Sequence, residues 1–352
     1  MAIRRPVMKA LYFSDLNKVD LREVPKPEIK DSTDVIVKVT ATSICGSDVH
    51  IIEGLLPTEP GFVLGHECTG VVEAVGDAVT NFKAGDRVVG PPLAFCGECE
   101  ACKAGHQSHC MKSGIHGAGP TFGSVEGVHA EFTRVPFGDA CLRHIPEGFS
   151  DEEVLLVSDI GATGYTGVKE ADLKEGESIV VFGCGPVGLC GVLTSTLHKP
   201  KNIIAVEMAE NRLAKAKTMG ATHTINAKDE DVLARIGEIT GGRGADVVID
   251  AVGLPVTLNQ GMECLGVNGR LFLVGIPGEP VSISPQHFYK NPTFSMGLGN
   301  LSTIDFLLDQ VKNKSLDFTP LITHTIPLDE IVDALDLFRN RPDEVIKVVI
   351  KP

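Results

Sequence analysis

Hydrophobic and polar positions alternate with period two in several stretches of the first 150 residues. Between Val35 and Val39 every second residue is Val, and Lys38 lies on the opposite face. This alternation is typical of a half-buried β-strand. It recurs at 71–75, 87–89 and 131–135. Gly and Pro separate these stretches at short intervals, so we predict a β-rich region with long loops.

The pattern changes near Ser150, where three acidic residues, Asp151–Glu153, follow a Ser in the manner of a helix start. Beyond this point continuous apolar strands alternate with helices. The predicted strands are 178–182, 202–206, 223–225, 247–250 and 270–274. Such strands are typical of a parallel sheet that helices cover on both faces. After Thr303 we predict two helices and a final strand.

The composition narrows the possible functions. A chain of 352 residues is expected to form about two domains. The formal net charge of −14 argues against nucleic-acid and anionic-membrane partners. The uncharged run 178–198 contains several Gly and a Pro, so we predict a strand, turn and helix there, and no membrane span. The first ten residues lack the apolar core of a signal peptide, and we expect a cytoplasmic protein.

Four of the ten cysteines are crowded together, at Cys96, Cys99, Cys102 and Cys110. Four thiolates at this spacing can surround one zinc ion tetrahedrally and leave no open position, as in structural zinc sites. The scattered cysteines have apolar neighbours and are predicted to be small buried side chains. They are Cys68, Cys141, Cys184, Cys190 and Cys264.

A glycine-rich hexapeptide, Gly183-Cys184-Gly185-Pro186-Val187-Gly188, follows a predicted strand and opens a predicted helix. In a dinucleotide-binding turn, Gly183 would allow the tight turn. Gly185 would let the backbone approach a pyrophosphate, and Gly188 would let the helix pack on the sheet. The pyrophosphate would lie at the helix N-terminus. The alternative is an ordinary glycine-rich strand-to-helix turn.

An acidic residue, Glu207, ends the second predicted strand of this region. A carboxylate there can accept hydrogen bonds from both adenosine-ribose hydroxyls of NAD and would repel the 2′-phosphate of NADP. The sequence therefore predicts NAD(H). Arg212 would either flank the adenine or be a solvated charge on a helix face.

Several motifs, in a fixed order along the chain, resemble those of a known protein family. They are CGSDVH from Cys45, GHE from Gly65, the four-cysteine segment, Ser158-Asp159 followed by TGY, and GCGPVG. Over its whole length the chain resembles the zinc-dependent medium-chain alcohol dehydrogenase family. The resemblance implies a GroES-like β-rich catalytic domain formed by 1–157 and 296–352, with a structural zinc lobe at about 91–116. It also implies a Rossmann domain, a doubly wound parallel sheet, at 158–295.

The resemblance also implies a catalytic zinc held by Cys45, His66 and Asp159, which the spacing alone does not connect. Glu67 resembles the family's carboxylate that alternates between ligating the zinc and lying behind the ligands. Asp48 resembles the acid that orients the ligating His. With Asp159 as the third ligand, the chain looks most similar to the secondary-alcohol and formaldehyde dehydrogenase branch.

Further roles follow from the same resemblance. Ser47 would lie beside the alcohol oxygen, and His50 would pass the proton to solvent, the alternative being a loop histidine without that role. Thr163, Val274 and Ile276 look like neighbours of the nicotinamide. The remaining histidines of the glycine-rich segment are predicted to lie at the surface or in local turns. They are His106, His109, His116 and His129.

The predicted function is a zinc-dependent oxidoreductase that transfers a hydride between a small-molecule alcohol, secondary or small primary, and NAD, with two zinc ions per chain. We expect a homodimer or homotetramer. Polyol, formaldehyde and threonine dehydrogenases are alternatives within the family. A non-catalytic NAD-binding protein is an alternative from another class, against which the complete ligand set argues. Zinc-free quinone reductases of the same fold would lack Cys45 and the four-cysteine segment.

Overall fold

Residues 6–352 are described by the computed structural model, and they divide into two units. The first comprises the described chain up to Asp159 together with Ile304–Lys312 and Asp317–Pro352. The second comprises Ile160–Thr303 and Asn313–Leu316. The sequence places the return to the first domain at 296, whereas the structure keeps residues 296–303 in the second unit. There the Asn300 N–H donates a hydrogen bond to Thr166 Oγ1 at 2.7 Å.

The first unit is built mainly from antiparallel strands. They are β1 Val7–Asp15, β2 Lys18–Pro25, β3 Val35–Ile44, β4 Phe62–Val63, β5 Cys68–Val75, β6 Arg87–Gly90, β7 Phe132–Val135 and β8 Arg143–His144, with β15 Ile322–Pro327 and β16 Lys347–Lys351 near the C-terminus. One sheet has the order β15-β16-β3-β5-β6-β8, with β7 also paired to β3, and a second has the order β2-β1-β4. Only the β15–β16 pair is parallel among these described strands.

Short helices join these strands. They are α1 Gly46–Ile52, α2 Glu100–Lys103, α3 Gly138–Cys141 and α4 Asp151–Leu155, followed later by α10 Ile304–Lys312 and α11 Ile331–Asn340. The predicted helix start at Ser150 is confirmed. The Glu153 N–H donates to Ser150 Oγ at 3.3 Å, and the Ser150 N–H donates to Glu153 Oε2 at 2.7 Å. This reciprocal pair satisfies N–H groups that a bare helix end leaves unpaired.

The second unit contains a parallel six-stranded sheet of order β11-β10-β9-β12-β13-β14. Its strands are β9 Ser178–Phe182, β10 Asn202–Glu207, β11 His223–Asn226, β12 Ala245–Asp250, β13 Leu265–Leu273 and β14 Thr293–Met296. Its helices are α5 Ala162–Glu170, α6 Pro186–Ser195, α7 Glu210–Thr218, α8 Val232–Thr240 and α9 Pro255–Cys264. From β9 the chain winds to β11 on one side and then to β14 on the other. The doubly wound parallel sheet is thus confirmed, with its topological switch between β9 and β12.

The apolar strands form the core of this sheet. Every residue of β9 is buried, and Val180, Ile204 and Val248 have no exposed surface. The uncharged run 178–198 forms β9, α6 and a short 3₁₀ turn, as predicted. Within residues 6–352, no helix combines the length and the apolar character needed to cross a membrane.

Candidate metal centres and dinucleotide turn

The four crowded cysteines bring their sulfur atoms to within 4.8 Å of one another, and all four are free thiols. Cys99 precedes α2 and Cys102 lies within it. The Cys99 N–H donates to Cys96 Sγ at 3.3 Å, and the Cys96 N–H donates to Cys110 Sγ at 3.3 Å. Such donors favour the thiolate form that binds metal. The donor set fits one tetrahedral zinc ion.

The thiols of this cluster differ in acidity. Backbone N–H donors of Met111 and Cys102 lower the pKa of Cys99 to about 6. Burial raises the pKa of Cys102 to about 12. Because thiols lose their protons when they ligate zinc, metal binding at this cluster should depend on pH.

A second cluster joins residues from separate segments of the first unit. Potential ligand atoms of Cys45, His66, Glu67 and Asp159 all lie within 4.8 Å of one another. Cys45 caps α1, His66 and Glu67 precede β5, and Asp159 lies in a π-helical turn, Val157–Gly161. His66 Nε2 is 3.5 Å from Asp159 Oδ2. One sulfur, one imidazole nitrogen and one carboxylate are donors that suit a zinc ion with an open fourth position.

Glu67 is held differently from the other three. It has no exposed surface, and its Oε1 accepts a hydrogen bond from Lys347 Nζ at 2.6 Å. Its Oε2 accepts a hydrogen bond from Ser43 Oγ. Burial raises the pKa of the Glu67 carboxyl, and the charge of Lys347 opposes that rise. Both carboxylate oxygens are thus engaged by the protein.

Behind His66 lies Asp48, which is buried in the first turn of α1. Its Oδ1 is 3.5 Å from His66 Nδ1, and its Oδ2 accepts the Cys45 N–H at 2.9 Å. This is the arrangement expected of an acid that orients a ligating histidine. Ser47 Oγ lies 3.4 Å from Cys45 Sγ, and half-buried His50 lies in the last turn of the same helix.

The glycine-rich turn leaves β9 and opens α6 as a nucleotide turn would. Gly183 has φ of +83°, and a Cβ there would lie 2.5 Å from Val252 Cγ2. A Cβ on Gly188 would lie 1.8 Å from the Gly183 carbonyl oxygen, so only Gly fits. By contrast, Gly185 has no atom within 4 Å of its Cβ position, which leaves space for a ligand against its backbone. Pro186 fills the first position of α6, and Val187 follows it.

Glu207 ends β10 with its carboxylate folded over this turn. Its Oε2 accepts the Cys184 N–H at 2.9 Å, and its Oε1 accepts the N–H groups of Met208 at 2.6 Å and Ala209 at 3.2 Å. Arg212 Nη1 lies 3.9 Å from Glu207 Oε2, and the side chain is 23% exposed. The role of Arg212 beside the adenine stays a prediction.

The three predicted nicotinamide neighbours lie on two segments of the second unit. Val274 and Ile276 follow β13, and Ile276 is 47% exposed. Thr163 lies in α5, where a Cβ added to Gly299 would come within 2.4 Å of its Oγ1. Their role stays a prediction.

Two family models and several known proteins match this chain. Residues 31–147 match the alcohol dehydrogenase GroES-like domain, and residues 186–309 match the zinc-binding dehydrogenase domain. An alcohol dehydrogenase of Cupriavidus necator is 35% identical over 98% of this chain and 99% of its own length. The chain belongs to the zinc-dependent medium-chain alcohol dehydrogenase family.

Other similar proteins have consistent descriptions. A zinc-type alcohol dehydrogenase B of Aspergillus flavus is 36% identical over 98% of this chain and 81% of its own length. The solved alcohol dehydrogenase TADH of Thermus sp. ATN1 superposes with a TM-score of 0.93, at 35% identity, covering 98% of this chain and 99% of the other. The predicted combination of a GroES-like domain and a Rossmann-type sheet is confirmed.

The structure of this dehydrogenase excludes the surface alternative for two of the four histidines and adds residues that were not predicted from the sequence. His106 and His109 are exposed as predicted, but His116 and His129 are buried. Burial lowers the pKa of His116 to about 4, and its Nδ1 lies 2.7 Å from the Glu126 carbonyl oxygen.

Ser43 and Lys347 were also missed, although both hold Glu67. The sequence does contain an indication of Lys347, because a Lys inside an otherwise apolar strand needs a partner if it is buried. Lys347 has no exposed surface.

Proposed function

We propose that this dehydrogenase oxidises a small secondary or primary alcohol to a ketone or aldehyde, with NAD as the hydride acceptor, at a zinc ion held by Cys45, His66 and Asp159. The observation that carries the proposal is the convergence of these donors, from separate segments, to within 4.8 Å. Zinc supplies a Lewis acid that lowers the pKa of the alcohol, and NAD supplies the hydride acceptor. A second, structural zinc would be held by Cys96, Cys99, Cys102 and Cys110.

The residues around the ligands then have distinct tasks. Lys347 and Ser43 hold both oxygens of Glu67, so that Glu67 does not fill the position that the substrate needs. Asp48 orients His66. The hydroxyl of Ser47, which lies close to Cys45 Sγ, would receive the proton of the alcohol. His50 would then pass a proton to solvent.

The second unit would bind the dinucleotide. The open backbone at Gly185, between Gly183 and Gly188, would receive the pyrophosphate at the start of α6. Glu207 would accept the ribose hydroxyls, because its oxygens keep lone pairs beyond the backbone bonds that they already accept. Arg212 would lie toward the adenine. The nicotinamide would meet the predicted neighbours Thr163, Val274 and Ile276.

The setting of the enzyme is part of the proposal. The free cysteines of the described chain suit a reducing compartment, which supports a cytoplasmic location. The net charge of −14 supports a small-molecule substrate over nucleic acid or an anionic membrane. A homodimer or homotetramer is proposed from the family resemblance. Polyol, formaldehyde and threonine dehydrogenases and a non-catalytic role are not favoured, because the alcohol dehydrogenases above are 35% and 36% identical, whereas a sorbitol and a threonine dehydrogenase of Bacillus subtilis are 31% and 33% identical.

The test compares Cys45→Ala with Cys68→Ala. Cys68 is a buried cysteine outside both donor sets, and burial raises its pKa to about 12, so it makes a matched control. We expect Cys45→Ala to lose one of two zinc ions and all turnover on a panel of alcohols with NAD and NADP, while NAD still binds. Cys68→Ala should keep both ions and its activity. Full zinc content and turnover in Cys45→Ala would refute the assignment.

A further inference from the structure

The turn that carries His66 packs directly on the ring of His129. Gly65 has φ of +96°, and a Cβ there would lie within 2.5–2.7 Å of three ring atoms of His129. The His129 N–H donates to the Leu64 carbonyl at 2.9 Å, and the Val128 N–H donates to the Gly65 carbonyl at 3.0 Å. The segment that carries His129 is therefore hydrogen-bonded to the residues just before His66.

The same ring also contacts the acid behind His66. His129 Nε2 lies 3.2 Å from Asp48 Oδ2, and His129 Nδ1 lies 2.9 Å from Thr42 Oγ1. A carboxylate accepts, so Nε2 is the donor toward Asp48, and in the corresponding neutral tautomer Nδ1 accepts the hydroxyl hydrogen of Thr42. His129 and Asp48 have no exposed surface, so water does not compete for these bonds.

Asp48 is thereby fixed in one orientation. Its Oδ2 accepts from both the Cys45 N–H and His129 Nε2, which leaves Oδ1 for His66 Nδ1 at 3.5 Å. Within residues 6–352, Oδ1 has no hydrogen-bond partner of normal geometry, so its position depends on what holds Oδ2.

The geometry points to His129 as a positioning residue for the catalytic metal. It fixes the His66 turn through Gly65 and fixes the His66 imidazole through Asp48. This inference rests on the proposed function, since it assumes that His66 ligates zinc. His129 contacts none of the proposed ligand side chains directly in these interactions, so its effect would be transmitted through its two neighbours.

The test measures zinc affinity by competition with a chromophoric chelator, with the four-cysteine zinc as internal reference. His129→Phe keeps an aromatic ring but loses both nitrogens, whereas His129→Gln keeps an N–H donor for Asp48. His116→Phe is the matched control, because His116 is equally buried but its Nδ1 contacts a backbone carbonyl. We expect His129→Phe to weaken one zinc by about 10–100-fold, the usual effect of losing such a partner. His129→Gln should recover much of that loss, and His116→Phe should leave the affinity unchanged.

Three results would overturn the inference. These are unchanged zinc affinity in His129→Phe, an equal loss in His116→Phe, and no recovery in His129→Gln. If His129→Phe fails to fold, Thr42→Val decides, because it removes the partner of Nδ1. Its control is Thr69→Val, since Thr69 is also buried and its hydroxyl has no hydrogen-bond partner among the described residues. Thr42→Val should lower the zinc affinity, and Thr69→Val should leave it unchanged. Equal zinc affinities in these two variants would refute the inference.

The experiment separates this inference from the proposed function. Cys45→Ala should abolish the binding of the same zinc ion whose affinity His129→Phe lowers. If Cys45→Ala retains both zinc ions, the proposed function fails. If Cys45→Ala loses one ion and His129→Phe binds zinc like the wild type, only the role of His129 is refuted.

Discussion

Replacing Lys347 with Met would remove the cation that pairs with Glu67 and leave a carboxylate buried without a counter-charge. Neither side chain has any exposed surface, and the two are joined by a hydrogen bond of 2.6 Å. Removing one partner of a buried pair typically costs about 3–5 kcal/mol, because the remaining charge is uncompensated. For a unit of this size, that cost corresponds to a fall of about 6–20 °C in the melting temperature.

The control lies on the same strand. Lys351 pairs with Glu152 at 2.5 Å, but these side chains are 35% and 32% exposed. A pair in contact with solvent contributes about 0–1 kcal/mol. Lys351→Met should therefore lower the melting temperature only slightly. Adding Glu67→Gln to Lys347→Met should restore part of the loss, because the unpaired charge is then gone.

The assay is thermal unfolding followed by circular dichroism, with each substitution made in the wild type and in Cys45→Ala. The Cys45→Ala background lacks the proposed catalytic zinc but keeps the four-cysteine site. We expect Lys347→Met to lower the melting temperature more in the Cys45→Ala background than in the wild type. In the wild type, the freed Glu67 carboxylate lies within 4.8 Å of the other donors and can turn to the ion. The reasoning would be refuted if Lys347→Met lowered the melting temperature no more than Lys351→Met does.

The remaining predictions concern the four-cysteine site and the dinucleotide site. Cys102→Ala should remove the second zinc ion and lower the melting temperature, as measured by zinc content and circular dichroism. A loss of activity at an unchanged melting temperature would contradict a structural role for that zinc. The wild type should prefer NAD over NADP by at least about a hundredfold in kcat/KM, because the charge-assisted hydrogen bonds that the ribose hydroxyls donate to Glu207 are worth about 1.5–3 kcal/mol each. Glu207→Gly with Met208→Arg should weaken NAD and admit NADP, and equal use of both cofactors by the wild type would show that Glu207 does not face the ribose.

Features encoded by neighbouring residues were predictable from the sequence. Alternating valines predicted β3, and the continuous apolar runs predicted the parallel sheet around β9. The hexapeptide from Gly183 predicted a turn in which Gly188 leaves no room for a side chain. The spacing of Cys96 to Cys110 likewise predicted one shared ion site, because a short loop can close on itself. In each case the determining contacts are local.

The second donor set could be connected only through resemblance to a family, and its supporting residues were not found at all. Their positions depend on strand pairing between distant segments. In the β3–β5 ladder Thr42 faces Cys68, which brings Ser43 beside Glu67.

In the β16–β3 ladder Val348 faces Ile44, which brings Lys347 to the same carboxylate. His129 looked like a loop histidine because nothing in its neighbouring residues indicates that Gly65 and Asp48 enclose its ring. Local sequence determines turns and periodicity, whereas the partner of a buried polar side chain is decided by long-range register, which only the tertiary structure shows.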